Sequence, residues 1–190
     1  MAEGKPQTER RGQSDGRTPW YKKPDKSLRA YRSLAQIDSL TQVGSRGELY
    51  DYLEKNGIKN TSVLFMDIDK FKDVNDSYGD KFGDEVLKIL GARLANKFTN
   101  VYRKGGEEFV IVLPNVSVRD AVKRAEEFRS ETEEGVILLS DGRKLSKTIS
   151  IGVADGNNYR NSEDLVDAAG VAMHNAKESG RNRVVMAQSV

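Results

Sequence analysis

Two short acidic segments carry most of the chemistry this chain could do. The first is Asp67-Ile68-Asp69, which follows the apolar run Val63-Leu64-Phe65-Met66. Side chains alternate along a strand, so Asp67 and Asp69 point to one side while the Ile68 carbonyl stays available between them. Carboxylate and carbonyl oxygens suit Mg²⁺, with phosphate oxygens completing an octahedron. Taken alone, the pair also reads as two solvated carboxylates at a strand end. The second segment is Arg103-Lys104-Gly105-Gly106-Glu107-Glu108-Phe109. The glycines permit positive φ and let the backbone approach a ligand closely. Glu107 and Glu108 follow at a turn, where like charges repel unless a cation or solvent compensates. Two such clusters could converge on one divalent metal.

Between them lie Phe71-Lys72-Asp73-Val74-Asn75-Asp76, then Gly79, Gly83 and Asp84. Lys72 could neutralise phosphate. Asn75 and Asp84 could read a purine edge, since a carboxylate accepts from both guanine N1–H and N2–H₂, whereas adenine offers no such donor pair. Lys177 and Arg181 stand near the end of the last predicted helix, with Gly180 as its terminator. They could clamp a phosphate or simply complement the helix C-terminal dipole, and their spacing does not separate the two.

The elements that must position these groups follow from periodicity. Leu28, Tyr31, Leu34 and Ile37 suggest a short leader helix, and a second helix runs from about Arg46 to Lys55, closed by Asn56-Gly57. Thr61 to Ile68 reads as a strand covered on both faces. Helices are expected over about 84–97, 118–131 and 163–177, a β-hairpin over Val101–Arg103 and Phe109–Leu113, and strands over 148–153 and 184–186. Helices mixed with a hairpin and crossovers imply an α/β (α+β) sandwich around a mixed central sheet.

The 190 residues contain no cysteine, which excludes disulfides and thiolate-ligated metal centres. The apolar runs are strand-length, the N-terminus is polar, and a membrane span or secretory signal is not expected. A soluble, cytoplasmic protein follows. A formal charge of +2 argues against nucleic acid as a partner, although residues 1–30 carry eight Lys/Arg against four Asp/Glu. Residues 1–27, with Pro6, Pro19 and Pro24, read as a basic tail whose composition cannot offset its ordering entropy. Trp20-Tyr21 within it reads either as an exposed pair or as an anchor for this domain, a second copy or another protein partner.

Taken together, the motifs resemble those of the GGDEF-domain diguanylate cyclases. The likeness runs from about Leu34 to Met186 and rests on Asp38-Ser39-Leu40-Thr41, on residues 67–76, on Gly83-Asp84, on residues 103–109, on Thr148-Ile149-Ser150-Ile151-Gly152-Val153 and on residues 176–183, in that order. The resemblance implies a ferredoxin-like palm related to class III nucleotide cyclases and palm polymerases, and condensation of two GTP into cyclic di-GMP with release of pyrophosphate. It implies Mg²⁺ or Mn²⁺ held by Asp67, the Ile68 carbonyl and Glu107, with Glu107 also the proton acceptor and Glu108 a secondary candidate. It places guanine at Asn75 and Asp84, with Phe71 and the residue at position 80 near substrate. Phosphates would meet Lys72, Lys177 and Arg181, and the nucleotide would lie against the Gly105-Gly106 backbone. Because each 3′-hydroxyl must reach the other nucleotide's α-phosphorus, two domains must face each other about a two-fold axis. The domain would span residues 28–190.

Four features depart from the family pattern. Asp80 stands in place of a histidine. Gln42-Val43-Gly44-Ser45-Arg46 replaces Gly-Leu-x-Asn-Arg. Gly170 and His174 replace an aspartate and a tyrosine, so that His174 is expected to be a packing residue. Asn96 and Thr99 occupy the places of the Arg-x-x-Asp pair that grips inhibitory product, and feedback of that type is not expected. A catalytically silent GTP-binding or protein-interaction module is the alternative to an active cyclase.

Overall fold

A computed structural model describes residues 36–188. The tail and nearly all of the expected leader helix lie outside these residues; Ile37, at its end, forms a bridge with Gly44 instead of a helical turn. The elements in chain order are α1 (Arg46–Asn56), β1 (Thr61–Ile68), α2 (Phe71–Tyr78), α3 (Asp80–Lys97), β2 (Val101–Gly105), β3 (Glu108–Pro114), α4 (Val118–Glu134), β4 (Ile137–Leu138), β5 (Lys144–Leu145), β6 (Ile149–Asp155), α5 (Ser162–Glu178) and β7 (Val184–Met186). The expected strands and long helices are present. Helix α2 and the small β4–β5 hairpin are additions, and α3 starts four residues earlier than its periodicity suggests.

The main sheet has the order β2-β3-β1-β6-β7, antiparallel except for the β6–β7 pair. Strands β1, β2, β3 and β6, with α2–α3 and α4 as crossovers, form the split βαβ arrangement of a ferredoxin-like palm. Strand β1 lies between β3 and β6, and all eight of its residues are buried. Its alternation feeds two cores. Leu64, Met66 and Ile68 pack with α2, α3 and α4, whereas Val63 and Phe65 pack with α1 and α5. By the same alternation Asp67 faces the α5 layer. The sheet therefore delivers a carboxylate to the end of a strand that is buried on both faces.

Candidate active site

Asp67 ends this buried row at 4% exposure. In the β1–β3 register its partner is Glu108, so hairpin β2–β3 sets its second acid beside the strand-end carboxylate. Lys177, in the last turn of α5, reaches back until its Nζ is 2.6 Å from Asp67 Oδ1. The contact is an ion pair by distance, but its angles lie outside hydrogen-bond geometry, and Oδ1 has no directed donor. Burial pushes the Asp67 pKa up to about 6; Lys177 opposes the rise, and Glu107 and Glu108 add to it. A buried carboxylate with an undirected oxygen and acids close by is a site short of positive charge.

Asp69 shares the α5 side with Asp67 and is buried to the same extent, yet its chemistry differs. Its carboxylate accepts from Thr148 Oγ1 at 2.7 Å, Ser150 Oγ at 2.7 Å and the Asn182 backbone N–H at 3.0 Å. The Asp-x-Asp pair thus divides into one satisfied structural acid and one unsatisfied acid. The donor set around the latter fits a hard cation. Among the described residues no three acidic or histidine side chains close into a metal cage by themselves.

The hairpin tip is built by Asp38. Thr41 donates to Asp38 Oδ1 from its backbone N at 2.9 Å and its hydroxyl at 2.7 Å, closing the turn. Arg103 Nη1 donates to the same oxygen at 3.1 Å, while Arg103 Nε donates to the Gly106 carbonyl at 2.9 Å. Burial raises the Asp38 pKa, but the Thr41 and Arg103 donors together outweigh it and hold the carboxyl below its ordinary value. Gly106 adopts φ 53°, a left-handed conformation that costs glycine little, in the two-residue turn between β2 and β3. Gly44, inside the altered loop, donates to the Val101 carbonyl and accepts from the Arg103 N–H, so that loop is stitched along β2. This latch was missed by sequence reasoning: Asp38-Ser39-Leu40-Thr41 signals a turn, but its tie to Arg103 spans 65 positions.

The other candidates occupy the surrounding elements. Lys72 is exposed in the first turn of α2 and makes no ion pair among the described residues. Asn75 lies in the last turns of α2, its Oδ1 buried and without a hydrogen-bond partner. Asp84 is exposed on α3. Phe71, expected near substrate, is instead buried at 6% exposure in the core that α2 and α3 share. Asp80 is exposed in the first turn of α3, where a negative charge favours the helix dipole. Arg181 is exposed beyond α5 with φ 65°, lining a groove with Lys70, Lys147 and Asn182. His174 is not a packing residue. It is exposed on α5, with Nε2 3.3 Å from Glu178 Oε1. The geometry therefore brings Asp67, Glu108 and Lys177 together with Glu107 nearby, while Lys72 and Arg181 are exposed cations that form no ion pair among the described residues.

The fold and this acidic constellation define a palm domain of the GGDEF type. The diguanylate cyclase GGDEF-domain family profile matches residues 35–183, and the chain belongs to that family. It is 39% identical over 172 residues to the uncharacterised protein YhcK of Bacillus subtilis, covering 85% of this chain and 48% of that protein. It is 36% identical to Diguanylate cyclase A of Treponema denticola, covering 85% of this chain and 42% of that protein. Against the response regulator PleD of Caulobacter vibrioides the identity is 37%, covering 80% of this chain and 36% of that protein. The chain thus spans less than half the length of each. Among solved structures, the GGDEF domain of DgcB from Caulobacter crescentus in complex with c-di-GMP is similar at a TM-score of 0.71 and 27% identity, covering 81% of this chain and 94% of that one. The diguanylate cyclase SiaD in complex with its activator SiaC from Pseudomonas aeruginosa gives 0.71 and 28%, covering 83% and 64%.

Proposed function

We propose that the chain condenses two GTP into cyclic di-GMP, with each of two facing copies holding one nucleotide. The observation that carries this reading is the register of Asp67 against Glu108, with Asp67 buried and short of positive charge. Asp67, the Ile68 carbonyl and Glu107 would hold Mg²⁺ or Mn²⁺. When bound, the ion would supply charge neutralisation of phosphate oxygens and a lowered pKa for a coordinated hydroxyl.

The residues of the chain do the rest. Asn75 and Asp84 take the guanine edge, Asp84 accepting from N1–H and N2–H₂. The Gly105-Gly106 backbone lies along the nucleotide, where side chains would intrude. Lys72, Lys177 and Arg181 meet the phosphates, with Lys72 placed to neutralise charge that develops on the transferred group. A ribose 3′-oxygen attacks the α-phosphorus of the other nucleotide; a P–O bond forms, the α–β bridging bond breaks and pyrophosphate leaves. The 3′-hydroxyl proton goes to Glu107, with Glu108 beside it. Done twice, once in each direction, this closes the ring. Positioning and electrostatics carry most of the rate.

The site is complete only between two copies, so rate should depend on protein concentration or on whatever clamps the pair. The tail, residues 1–27, is a segment through which a second copy or another protein could set that geometry, with Trp20-Tyr21 as its anchor. The test is to resolve the nucleotide products formed from GTP and Mg²⁺, with Glu107→Gln as the control. GTP binding without product would instead favour the silent module.

A further inference from the structure

We infer that Gly83 is a positioning residue for base recognition: its missing side chain is the seat that holds the Asn75 amide at the nucleotide's base edge. The inference rests on the reading of Asn75 as a guanine contact. Gly83 lies inside α3, buried, with an ordinary helical backbone, so no strained φ explains a glycine there. Glycine weakens a helix interior relative to alanine, and something must offset that cost.

The space a methyl group would take is already occupied. A Cβ on Gly83 would lie 1.9 Å from Asn75 Oδ1, 3.0 Å from Asn75 Cγ and 3.2 Å from Phe71 Cζ. Phe71 and Val74 are buried at 6% and 1% exposure, so α2 is packed on its inner side and cannot yield inward. An added methyl would turn the Asn75 amide out of its place or wedge α2 from α3.

The amide so held has a second property. Its Oδ1 is buried and accepts no hydrogen bond from the protein. An acceptor left unpaired in this way is satisfied by an N–H arriving with a ligand. Guanine brings such donors on the edge that Asp84 is expected to read, and Asp84 is the next residue of the same helix. Gly83 and Asp84 therefore act as one unit, the first seating an amide acceptor and the second presenting a carboxylate acceptor.

A double-mutant cycle tests this. The full chain, Gly83→Ala, Asn75→Ala and the double variant are titrated with 3′-deoxy-GTP plus Mg²⁺; this probe lacks the attacking hydroxyl and reports binding alone. Asn75→Ala should weaken binding by about tenfold. Gly83→Ala should weaken it similarly in the wild-type background and add almost nothing once Asn75 is alanine. The melting temperature of the double variant should stay close to that of Asn75→Ala, because the clash with the amide is gone and only the 3.2 Å approach to Phe71 Cζ remains, set against alanine's better helix propensity. Should Gly83→Ala alone fail to fold, recovery of folding in the Asn75→Ala background supports the assignment, and unfolding in both backgrounds overturns it. An unchanged affinity in Asn75→Ala removes the guanine reading and the inference with it. A normal loss in Asn75→Ala, with either no loss or an equal loss in both backgrounds from Gly83→Ala, overturns the inference alone.

Discussion

Lys177 Nζ stands 2.6 Å from Asp67 Oδ1, joining the last turn of α5 to the end of the buried central strand. The pair balances one buried negative charge with a cation that is 25% exposed, a point charge on a flexible stem. Burial nonetheless makes the carboxylate harder to ionise, with Lys177 opposing the shift, and four measurements test the site.

The first concerns pH. The Asp67 pKa is raised from 3.8 to about 6, chiefly by burial. Protonation is then easier in the folded state, so this group's stabilisation is full below 3.8 and is lost as pH rises through about 6. Thermal melts of the metal- and nucleotide-free protein should show stability falling across this window. Asp67→Asn should flatten that slope and be the more stable protein at pH 7.5, by at most about 3 kcal/mol. An Asp67→Asn variant less stable than wild type at pH 7.5 contradicts the balance described here. Mg²⁺ affinity should move oppositely, rising with pH as Asp67 deprotonates.

The second concerns the latch from Asp38 through Arg103 to the Gly106 carbonyl. Removing Asp38 deprives Thr41 and Arg103 Nη1 of their shared acceptor and leaves Arg103 tied to the hairpin only through the Gly106 carbonyl. Asp38→Ala should cost about 1–3 kcal/mol of stability and reduce kcat by about tenfold or more, since a misplacement of ~1 Å is costly for positioned groups. Hydrogen exchange at residues 104–108 should quicken. Unaltered exchange there with normal turnover would mean the hairpin holds its shape unaided.

How much of this was legible beforehand depends on the range of the forces involved. Strand β1 was read to its exact bounds because a continuous apolar run between polar neighbours has a purely local signature. Helix α2 was not. Phe71-Lys72-Asp73-Val74-Asn75-Asp76-Ser77-Tyr78 is eight residues long, carries poor helix formers, and begins after Lys70 in a left-handed conformation with no side-chain cap. It is helical because Phe71 and Val74 find the core, which is tertiary packing. The division of labour between Asp67 and Asp69 was likewise invisible, since Thr148, Ser150 and Asn182 come from segments about eighty or more positions away. His174 was expected to pack because it replaces an aromatic residue, yet it stands on the solvent side of α5. Gly83 was noticed as part of a motif, but its reason lies in a different helix.

Base choice provides a third test. A carboxylate at Asp84 matches two guanine donors and meets no such pair on adenine. Asp84→Ser should lower affinity for GTP and narrow the preference for GTP over ATP by about 1.5–3 kcal/mol, read as competing nucleotide affinities. Unchanged GTP selectivity would remove Asp84 from the base site.

A fourth prediction concerns feedback. Asn96 and Thr99 stand where product-inhibited relatives carry an arginine–aspartate pair, and the neighbouring cations are engaged. Arg93 Nη2 donates to the Val136 carbonyl at 2.7 Å, and Lys97 pairs with Glu131. Little remains there to grip the phosphates of a product dimer. Initial rates should be indifferent to added cyclic di-GMP through this face. Inhibition that disappears in Arg93→Ala would contradict that expectation.

This chain should form a cyclic dinucleotide at a site shared by two copies. The direct measurement is to incubate the protein at low and high micromolar concentration with GTP and Mg²⁺, separate the nucleotides by chromatography and repeat with Glu107→Gln. Cyclic di-GMP should rise faster than linearly with protein and be absent in the variant. Strict proportionality to protein concentration at every level, or equal product from Glu107→Gln, would contradict it.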